Sequence, residues 1–287
     1  MHDIRKNDAK ETNPLRTSML FRDAHRILFA PGVQMRMAIA TLVCAFFLFL
    51  PIVLYSFLLA IGGAESYDPE SATFFEVLRY VLSALAGIVI LIIGEIFVAL
   101  PMLLSLPMMA EKAVRGERIS VSDVFSVFGR KHYRKSFSTL LSAGVLNTVP
   151  IALLLSSVYG ATTIYAVVRL NPSTEPFLPY VVVFCTVVCL VALAIAAFLS
   201  IPGYYFLSLR MHREGSANKR HHSAILTSYT ALRGGFIEYL RLRGRFLVLH
   251  AASLLTVAAL YPIYTIPMYL IVTALSASRM DASTKEQ

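Results

Sequence analysis

Two runs of thirty-three residues without a formal charge, Phe177–Leu209 and Phe246–Ser278, constrain the fold of this chain more than any other feature. Each is longer than the roughly 20 apolar residues that cross the hydrocarbon core of a bilayer. The segment between them, 208–245, holds eight of the twenty-six Lys and Arg residues. A basic segment between two apolar runs predicts a membrane protein in which that segment lies on one side of the bilayer.

Three more apolar runs precede these two, and a single charge, Glu95, interrupts them: Met37–Ile61, Tyr80–Ala110 and Ser138–Val168. Hydrophobic residues make up 57% of the chain and charged residues 15%, whereas soluble proteins carry about 25% charged residues. The pattern predicts an all-α fold, a polytopic transmembrane helical bundle of five spans. Six spans are the alternative, in which Phe246–Ser278 bends at Tyr261–Pro267 into a hairpin and returns the C-terminus to the cytosol.

The distribution of basic residues predicts the orientation. Segments 1–36, 108–137 and 208–245 hold 22 of the 26 Lys and Arg residues, and the alternate loops, 62–78 and 170–176, hold none. Cytosolic loops of membrane proteins are enriched in Lys and Arg. We therefore expect a multi-pass protein of a cytoplasmic (inner or plasma) membrane with its N-terminus in the cytosol.

The predicted segments follow in chain order: a disordered cytosolic tail at 1–13, an amphipathic interfacial helix at 14–36, the transmembrane bundle at 37–278 with cytosolic loops 108–137 and 208–245, and a polar tail at 279–287. Within the bundle, prolines at 101, 107, 150, 202, 262 and 267 are expected to kink or end helices, because proline lacks a backbone donor and clashes with the preceding turn.

Segment 14–36 has apolar residues at roughly helical spacing and arginines between them. Its apolar positions are Leu15, Met19, Ala24, Ile27 and Leu28, and Pro31-Gly32 marks its end. Such a helix lies in the cytosolic interface of the membrane. The alternative is a helix packed against the protein's own loops.

Each large cytosolic loop is predicted to hold a short amphipathic helix. In the first, Ser120 precedes Asp123 by three residues, the spacing of a capping box, and an apolar face follows at Val121, Val124, Phe125 and Phe128. In the second, the apolar face is Ile225, Tyr229 and Leu232, with Gly234-Gly235 after it. Both loops thus place an amphipathic helix before the next apolar run.

Glu95 is the most conspicuous single residue, since an ionisable group within a span is costly and marks a functional site by default. Asn147 and His250, each in another apolar run, are its candidate partners in an intramembrane polar site. A Glu–His pair could relay protons in a coupled transporter. The alternative is a protonated Glu95 that only packs, hydrogen-bonded to a neighbouring Ser, Tyr or Asn.

The basic residues beside the spans are predicted to contact anionic lipid. The candidate contacts are Arg22, Arg26, Lys131, Arg134, Lys135, Arg241, Arg243 and Arg245. The expected partners are the lipid bilayer and a membrane protein or second copy of the chain, and not nucleic acid. The bases around His212, His221 and His222 disfavour a metal ion, and no catalytic motif occurs. We expect no cofactor, no metal and no enzymatic activity.

Three stretches resemble a bacterial family of multi-pass membrane proteins, the domain of unknown function nine-seven-five. They are Arg22-Asp23-Ala24-His25-Arg26-Ile27-Leu28, Ile201-Pro202-Gly203-Tyr204-Tyr205 and Ser228-Tyr229-Thr230-Ala231-Leu232-Arg233-Gly234. The chain departs from the family in its shorter final region and its lack of Trp. The resemblance covers residues 20–280 and implies a bacterial cytoplasmic-membrane protein, with no catalytic residues to transfer.

These features favour a non-enzymatic membrane-organising protein that engages anionic lipid or a membrane partner through basic amphipathic segments. The alternative is a small transporter or permease-like carrier with a midplane site around Glu95, supported by the proline-broken runs, which transporters often contain.

Overall fold

The computed structural model describes residues 16–63, 73–170, 172–215, 224–230, 232, 235–256 and 260–286. Within these ranges the regular secondary structure is entirely helical, and the predicted all-α class is confirmed. The predicted tail at 1–13, most of the acidic loop 62–78, His221 and His222 lie outside the described residues.

The α-helices are numbered here in chain order: α1, Thr17–Leu28; α2, Val33–Ile61; α3, Phe74–Ile93; α4, Leu100–Leu103; α5, Ser105–Val114; α6, Arg130–Leu170; α7, Leu178–Gly215; α8, Ala224–Thr230; α9, Phe236–Thr256; and α10, Ile266–Glu286. The described ranges also contain two π-helices, Gly94–Ala99 and Tyr261–Thr265, and two 3₁₀-helices, Val121–Phe128 and Pro172–Phe177.

Four helical stretches of the described chain are long and apolar enough to cross a membrane: Val33–Ile61, Phe74–Val114, Ser136–Leu170 and Leu178–Glu214. Large apolar side chains along them are exposed, among them Leu155 and Phe184. Contiguous apolar surface of this extent is typical of contact with lipid.

The chain forms two compact units. The first unit comprises Met1–Leu20, Leu141–Arg245 and Thr273–Gln287, and the second comprises Phe21–Leu140 and Phe246–Val272. In the second unit, α2 packs along α3 and along both π-helices. Gly94 makes this approach possible, since a Cβ there would lie 2.5 Å from Cγ of Pro51. Close packing at small residues is a common way for membrane helices to associate.

Of the two expected effects of proline, kinking or ending a helix, the second does not occur at two of the predicted positions. Pro150 and Pro202 lie inside continuous helices, α6 and α7, instead of ending them. Neighbouring groups can satisfy the carbonyl that a membrane proline leaves without its donor, so the helix continues. Pro101 does accompany a change of helix type, because it is the second residue of α4, which directly follows the π-helix Gly94–Ala99.

The capping box predicted at Ser120 and Asp123 is present, but the helix that it starts is a 3₁₀-helix. Val124 and Val127 are its buried side chains, whereas Phe125 and Phe128 are exposed. A 3₁₀-helix repeats every three residues, and the buried residues Val124 and Val127 are accordingly three apart. The prediction that Phe128, four residues after Val124, shares the buried face is wrong.

The predicted helix of the second loop also exists, as α8, but its predicted buried face is only partly right. Leu232, just after the helix, is buried, and the ring of Tyr229 stacks on Phe198 at 4.9 Å. Ile225 is exposed, and the polar pair Thr227 and Ser228 is buried instead. Hydrogen bonding explains this exchange, because buried polar groups require partners and Thr227 has one in Arg213, as described below.

The last apolar run, Phe246–Ser278, contains two helical segments that lie antiparallel, as in the predicted hairpin, but the predicted bend at Tyr261–Pro267 is wrong, because these residues are helical. The rings of Phe246 and Tyr269 lie 5.2 Å apart, and the hydroxyls of Ser253 and Thr265 are hydrogen-bonded. The pair closer together in sequence, Ser253 and Thr265, lies inside the pair farther apart, Phe246 and Tyr269, as expected for antiparallel segments. The Phe246–Thr256 part of α9 measures only about 16 Å at 1.5 Å per residue.

In the first unit, Arg213 binds both α10 and α8. Its Nε donates to Oδ1 of Asp281 at 3.0 Å, and its Nη2 donates to Oγ1 of Thr227 at 2.5 Å. Met280 and Asp281 are buried. The residues predicted as a polar tail at 279–287 therefore continue α10 as far as Glu286, because their inner face packs against the protein.

Candidate functional site

A cavity of about 620 Å³ lies in the second unit beside the start of α2. Three arginines line it, Arg26 from α1, Arg36 from α2 and Arg118 from the loop after α5, together with two acids, Asp23 and Glu117. The arginines outnumber the acids, so the cavity carries net positive charge. Such a lining is typical of sites for anions, because guanidinium groups bind phosphate and carboxylate oxygens in pairs.

The turn between α1 and α2 forms one wall of the cavity. Leu20, Ala24 and Leu28 bury one face of α1 completely, which leaves Arg22 and Arg26 exposed on the other side. The helix ends before Gly32, which has a φ of 76° and begins α2 without a side-chain cap. Glycine adopts this left-handed conformation without a steric cost.

Arg36 lies across this turn. A Cβ on Gly32 would lie 3.3 Å from Cζ of Arg36, so the guanidinium covers the glycine. Its Nη1 donates to the carbonyl oxygen of Ile119 at 3.1 Å. Arg36 thereby joins the two walls of the cavity and places a positive charge at the N-terminal end of α2, where the helix dipole also favours anions.

The opposite wall is a short loop held at both ends. Gly116, with a φ of 73°, ends α5, and the N–H groups of Gly116 and Glu117 donate to the carbonyls of Ala113 and Lys112. This is the Schellman pattern of helix termination. Arg118 follows directly and is exposed into the cavity.

The loop ends at the capping box, where Lys112 binds Asp123 at 2.9 Å. Burial raises the pKa of Asp123, but the N–H of Ser120 and the Lys112 ammonium outweigh it and lower the pKa overall. Asp123 is therefore ionised at neutral pH and fixes the loop from the side away from the cavity.

The predicted lipid contacts have different surroundings. Arg22, Arg26, Arg134, Arg241 and Arg245 are exposed, and the side chains of Lys131 and Lys135 lie outside the described ones. Arg243 is half-buried in the first unit with its guanidinium 4.6 Å above the ring of Tyr204, a cation–π contact within the protein. Only Arg26 of this set lines the cavity.

Arg36 and Arg118 also line the cavity, and the sequence reasoning did not select them. The signal available was the pairing of each with a nearby glycine, Gly32 before Arg36 and Gly116 before Arg118. Both glycines have positive φ. Nothing in the sequence indicates that these two turns face each other.

The start of α1 is anchored in the first unit by Glu238. One oxygen of its carboxylate accepts from the hydroxyl of Thr17 at 2.6 Å and from the backbone N–H of Thr17 at 3.4 Å, and the other binds Arg241. The Thr17 hydroxyl hydrogen bond is the largest cause that lowers the pKa of Glu238; burial opposes it, and the Thr17 N–H and Arg241 reinforce it. A carboxylate here satisfies a first-turn N–H of α1.

This anchor predicts a pH dependence. Because the folded-state pKa of Glu238 is lowered, its stabilisation is present above the ordinary Glu value of about 4.3 and is lost as the pH falls through the folded-state value. We expect Glu238→Gln to speed amide hydrogen exchange at residues 17–20 at neutral pH. Acidifying the unaltered protein should give the same change, after correction for intrinsic exchange.

Thr17→Val provides the matched variant, because it removes the hydroxyl and keeps the shape. Combining it with Glu238→Gln should add little to either change alone. Fully additive effects on exchange at 17–20 would show that the two side chains do not act through their mutual hydrogen bond.

The structure assigns the predicted intramembrane residues to different surroundings. Asn147 belongs to the first unit, where its Nδ2 donates to the carbonyl of Ala143 at 2.7 Å and its amide packs against Gly203. His250 belongs to the second unit, with its ring 5.4 Å from that of Tyr261 and 5.8 Å from that of Tyr269.

Glu95 also belongs to the second unit and lies in the π-helix Gly94–Ala99. Its Oε1 is buried and has no hydrogen-bond partner among the described residues, so neither His250 nor a neighbouring Ser, Tyr or Asn binds that oxygen. Tyr133, in the basic segment 108–137, donates to the carbonyl of Phe97 at 2.9 Å. The π-helix therefore contacts this basic segment, which a midplane position does not predict.

Comparisons of the chain with protein-family models, with curated proteins and with solved structures found no match. The resemblance based on Arg22–Leu28 and the two later stretches stays a prediction.

Proposed function

We propose that this protein is a non-enzymatic, multi-pass protein of a bacterial cytoplasmic membrane that binds the phosphate-bearing headgroups of anionic lipids. The observation that carries the proposal is the cavity lined by Arg26, Arg36 and Arg118 at the start of α2. Holding such a lipid at a fixed site gives the protein a role in organising the membrane around it.

The position of the cavity along the chain supports a lipid headgroup as the ligand. Arg36 is the last charged residue before the uncharged run Met37–Ile61. The cavity thus lies where an apolar span meets polar surroundings, which is the level of lipid phosphates in a bilayer. A lipid bound there places its phosphate among the guanidinium groups and its chains along α2.

Electrostatics supports an anion over a zwitterion. Asp23 and Glu117 offset two of the three arginine charges, so a ligand with a net negative charge is favoured. The positive choline group of a zwitterionic headgroup has no excess of negative side chains to bind in this cavity. Each basic residue near an anionic surface contributes about 1 kcal/mol to binding. Arginine is the suitable base, because its planar group binds two phosphate oxygens at once.

Replacing Arg26 and Arg118 together with Gln tests the proposal. We expect the dissociation constant of the purified protein for phosphatidylglycerol, titrated into zwitterionic nanodiscs, to rise about thirtyfold, since about 2 kcal/mol is lost. Arg36 is kept in this variant because it holds the two walls together through Ile119.

Arg22→Gln is the matched control. Arg22 lies one turn earlier on α1 and is exposed like Arg26, but it does not line the cavity. It should leave the dissociation constant within about a factor of two, as expected for a distant exposed charge that salt screens. Equal losses in both variants would contradict a defined headgroup site and indicate attraction by overall charge only.

We propose further that the basic segments and both termini face the cytosol. The charge asymmetry supports this for the N-terminus, and the contact between Arg213 and Asp281 supports it for the C-terminus, since α10 ends beside the basic segment 208–245. The hairpin in Phe246–Ser278 then enters and leaves on the same side.

Reporter fusions test the orientation. Green fluorescent protein fused after Gln287 should fluoresce, and alkaline phosphatase at the same position should be inactive, because it requires export. A fusion within loop 170–176 should give the opposite pattern. An exported C-terminus would contradict the hairpin.

A further inference from the structure

We propose that Glu95 is a proton-binding site within the membrane-spanning part of the chain, independent of the lipid site. Glu95 lies in the continuous apolar stretch Phe74–Val114, whose other described acids are Glu76 near its start and Glu111 near its end. The turn that carries it is a π-helix. Such turns are rare and occur frequently at functional sites.

Pro101 explains which backbone groups this turn exposes. A proline has no N–H, so the carbonyl of Phe97, four residues earlier, lacks its helical donor. The hydroxyl of Tyr133 donates to that carbonyl at 2.9 Å. A second carbonyl of this region, that of Met102, receives the Ser105 hydroxyl at 2.6 Å and the Cys44 thiol at 3.5 Å.

The described contacts around Glu95 favour a proton over a metal cation as the bound ion. Sodium or calcium ions require several converging oxygen ligands, and the two carbonyls named above already accept hydrogen bonds. The described residues contain no group of three or more His, Cys, Asp or Glu side chains that could hold a metal ion. A single carboxyl group can still bind a proton.

No described side chain on the helices packed against the π-helix binds Oε1 of Glu95. On α2 the titratable groups are Arg36, which binds Ile119, and Cys44 and Tyr55. On α3 they are Glu76, Arg79 and Tyr80, all at least fifteen residues before Glu95, and α4 has none. On residues 130–140, the part of α6 in the same unit, the described ones are Tyr133, which donates to Phe97, and the exposed Arg134, while the side chains of Arg130, Lys131, His132 and Lys135 lie outside the described ones.

A buried carboxyl oxygen in these surroundings favours the protonated acid. Oε1 of Glu95 is buried with no hydrogen-bond donor among the described residues, and no salt bridge involves Glu95 there. Ionisation would leave a charge that no described side chain pairs with, next to the exposed side chains of Ile96 and Phe97. The bound proton removes this cost.

A hydrophobic carbodiimide provides a direct test, since it partitions into hydrocarbon and reacts with protonated carboxyl groups. The carboxyl proton moves to one nitrogen of dicyclohexylcarbodiimide, and a carboxyl oxygen bonds to its central carbon as one C=N bond becomes C–N. The O-acylisourea then rearranges to a stable N-acylurea by transfer of the acyl group from oxygen to nitrogen. No electrons are exchanged with another reagent.

We expect mass spectrometry of the full-length protein in liposomes at neutral pH to locate the adduct on Glu95, and Glu95→Gln to abolish it. Two acids of the same stretch are controls. Glu76 is exposed and hydrogen-bonded to Thr73, so only a water-soluble carbodiimide should modify it. Glu111 is buried but paired with Arg115 at 3.2 Å, so it should remain unmodified.

Three results would overturn the proposal. One is an unmodified Glu95 in a sample whose Glu76 reacts with the water-soluble reagent. Another is modification of Glu111 to the same extent as Glu95, because burial alone would then decide reactivity. The third is protection of Glu95 by sodium ions at constant ionic strength, which would identify a metal-cation site. The variant that replaces both Arg26 and Arg118 with Gln should still form the carbodiimide adduct on Glu95, which would show that proton binding at Glu95 does not depend on the lipid site.

Discussion

Replacing Asp281 with Asn is expected to lower the free energy of unfolding by about 3 kcal/mol, the scale for removing one partner of a buried ion pair. The side chains of Arg213 and Asp281 are only 18% and 10% exposed, and the Nε–Oδ1 distance is 3.0 Å. Without the carboxylate, the Arg213 charge stays in a poorly solvated position, where it keeps its hydrogen bond to Thr227. His212, 4.0 Å from the same carboxylate, loses its neighbour as well.

Unfolding in mixed micelles by increasing the fraction of a denaturing detergent measures this loss. Glu214→Gln is the matched control, because Arg210 and Glu214 form an exposed pair on the same helix with side chains 41% and 36% exposed. Exposed pairs of this kind contribute about 0.3–0.5 kcal/mol. Similar losses in the two variants would contradict the role of burial at Asp281.

A double replacement makes the test independent of a general folding defect. Arg213→Met together with Asp281→Leu removes both charges and keeps apolar volume, and such exchanges are often neutral or stabilising. The double variant should therefore unfold later than Asp281→Asn alone. If it is the least stable of the three, the charge left behind does not explain the effect of Asp281→Asn.

Replacing Gly94 with Ala is expected to destabilise the second unit by about 1–3 kcal/mol, the usual cost of overpacking. The added Cβ would lie 2.5 Å from Cγ and 2.8 Å from Cβ of Pro51. A proline ring within a helix cannot rotate away, so α2 must move from the π-helix. Cys44 on α2 then becomes accessible, and its alkylation by a thiol reagent in a variant lacking the other two cysteines should accelerate.

Gly144→Ala is the control for this prediction. Gly144 is helical, and a Cβ there would meet nothing within 4 Å. Alanine should stabilise α6 by up to about 1 kcal/mol through its higher helix propensity. Pro51→Ala combined with Gly94→Ala should recover part of the lost stability. A Gly94→Ala variant as stable as the Gly144→Ala variant would contradict the close contact.

The sequence predicted those features that depend on local composition or short spacing. Charge-free runs indicate membrane helices wherever they occur, and the capping box at Ser120 and Asp123 needs residues only three apart. The hairpin in Phe246–Ser278 was one of two alternatives, because a run of that length fits one tilted helix or two short ones. The contact between Phe246 and Tyr269 separates these alternatives, and it is a tertiary contact.

The candidate sites depended more on contacts distant in sequence. Arg36 reaches Ile119 across eighty-three residues, and Arg213 reaches Asp281 across sixty-eight. No local pattern encodes these pairs. Glu95 was evident as an acid within an apolar run, but its π-helix depends on Pro101 and on the packing of Gly94 against Pro51. A π-helical turn contains one residue more than an α-helical turn, and the spacing of hydrophobic residues in the sequence does not show where such a turn occurs.

The lengths of α6 and α7 have a consequence for the surrounding bilayer. Their apolar stretches, Ser136–Leu170 and Leu178–Glu214, contain 35 and 37 residues, or about 52 and 55 Å of helix at 1.5 Å per residue. The hydrocarbon core is about 30 Å thick. Such long rods cannot stand upright with every apolar residue in hydrocarbon, so strong inclination or local thickening of the lipid must relieve the mismatch. Membranes of greater thickness should therefore accommodate these two helices with less inclination or less thickening of the surrounding lipid.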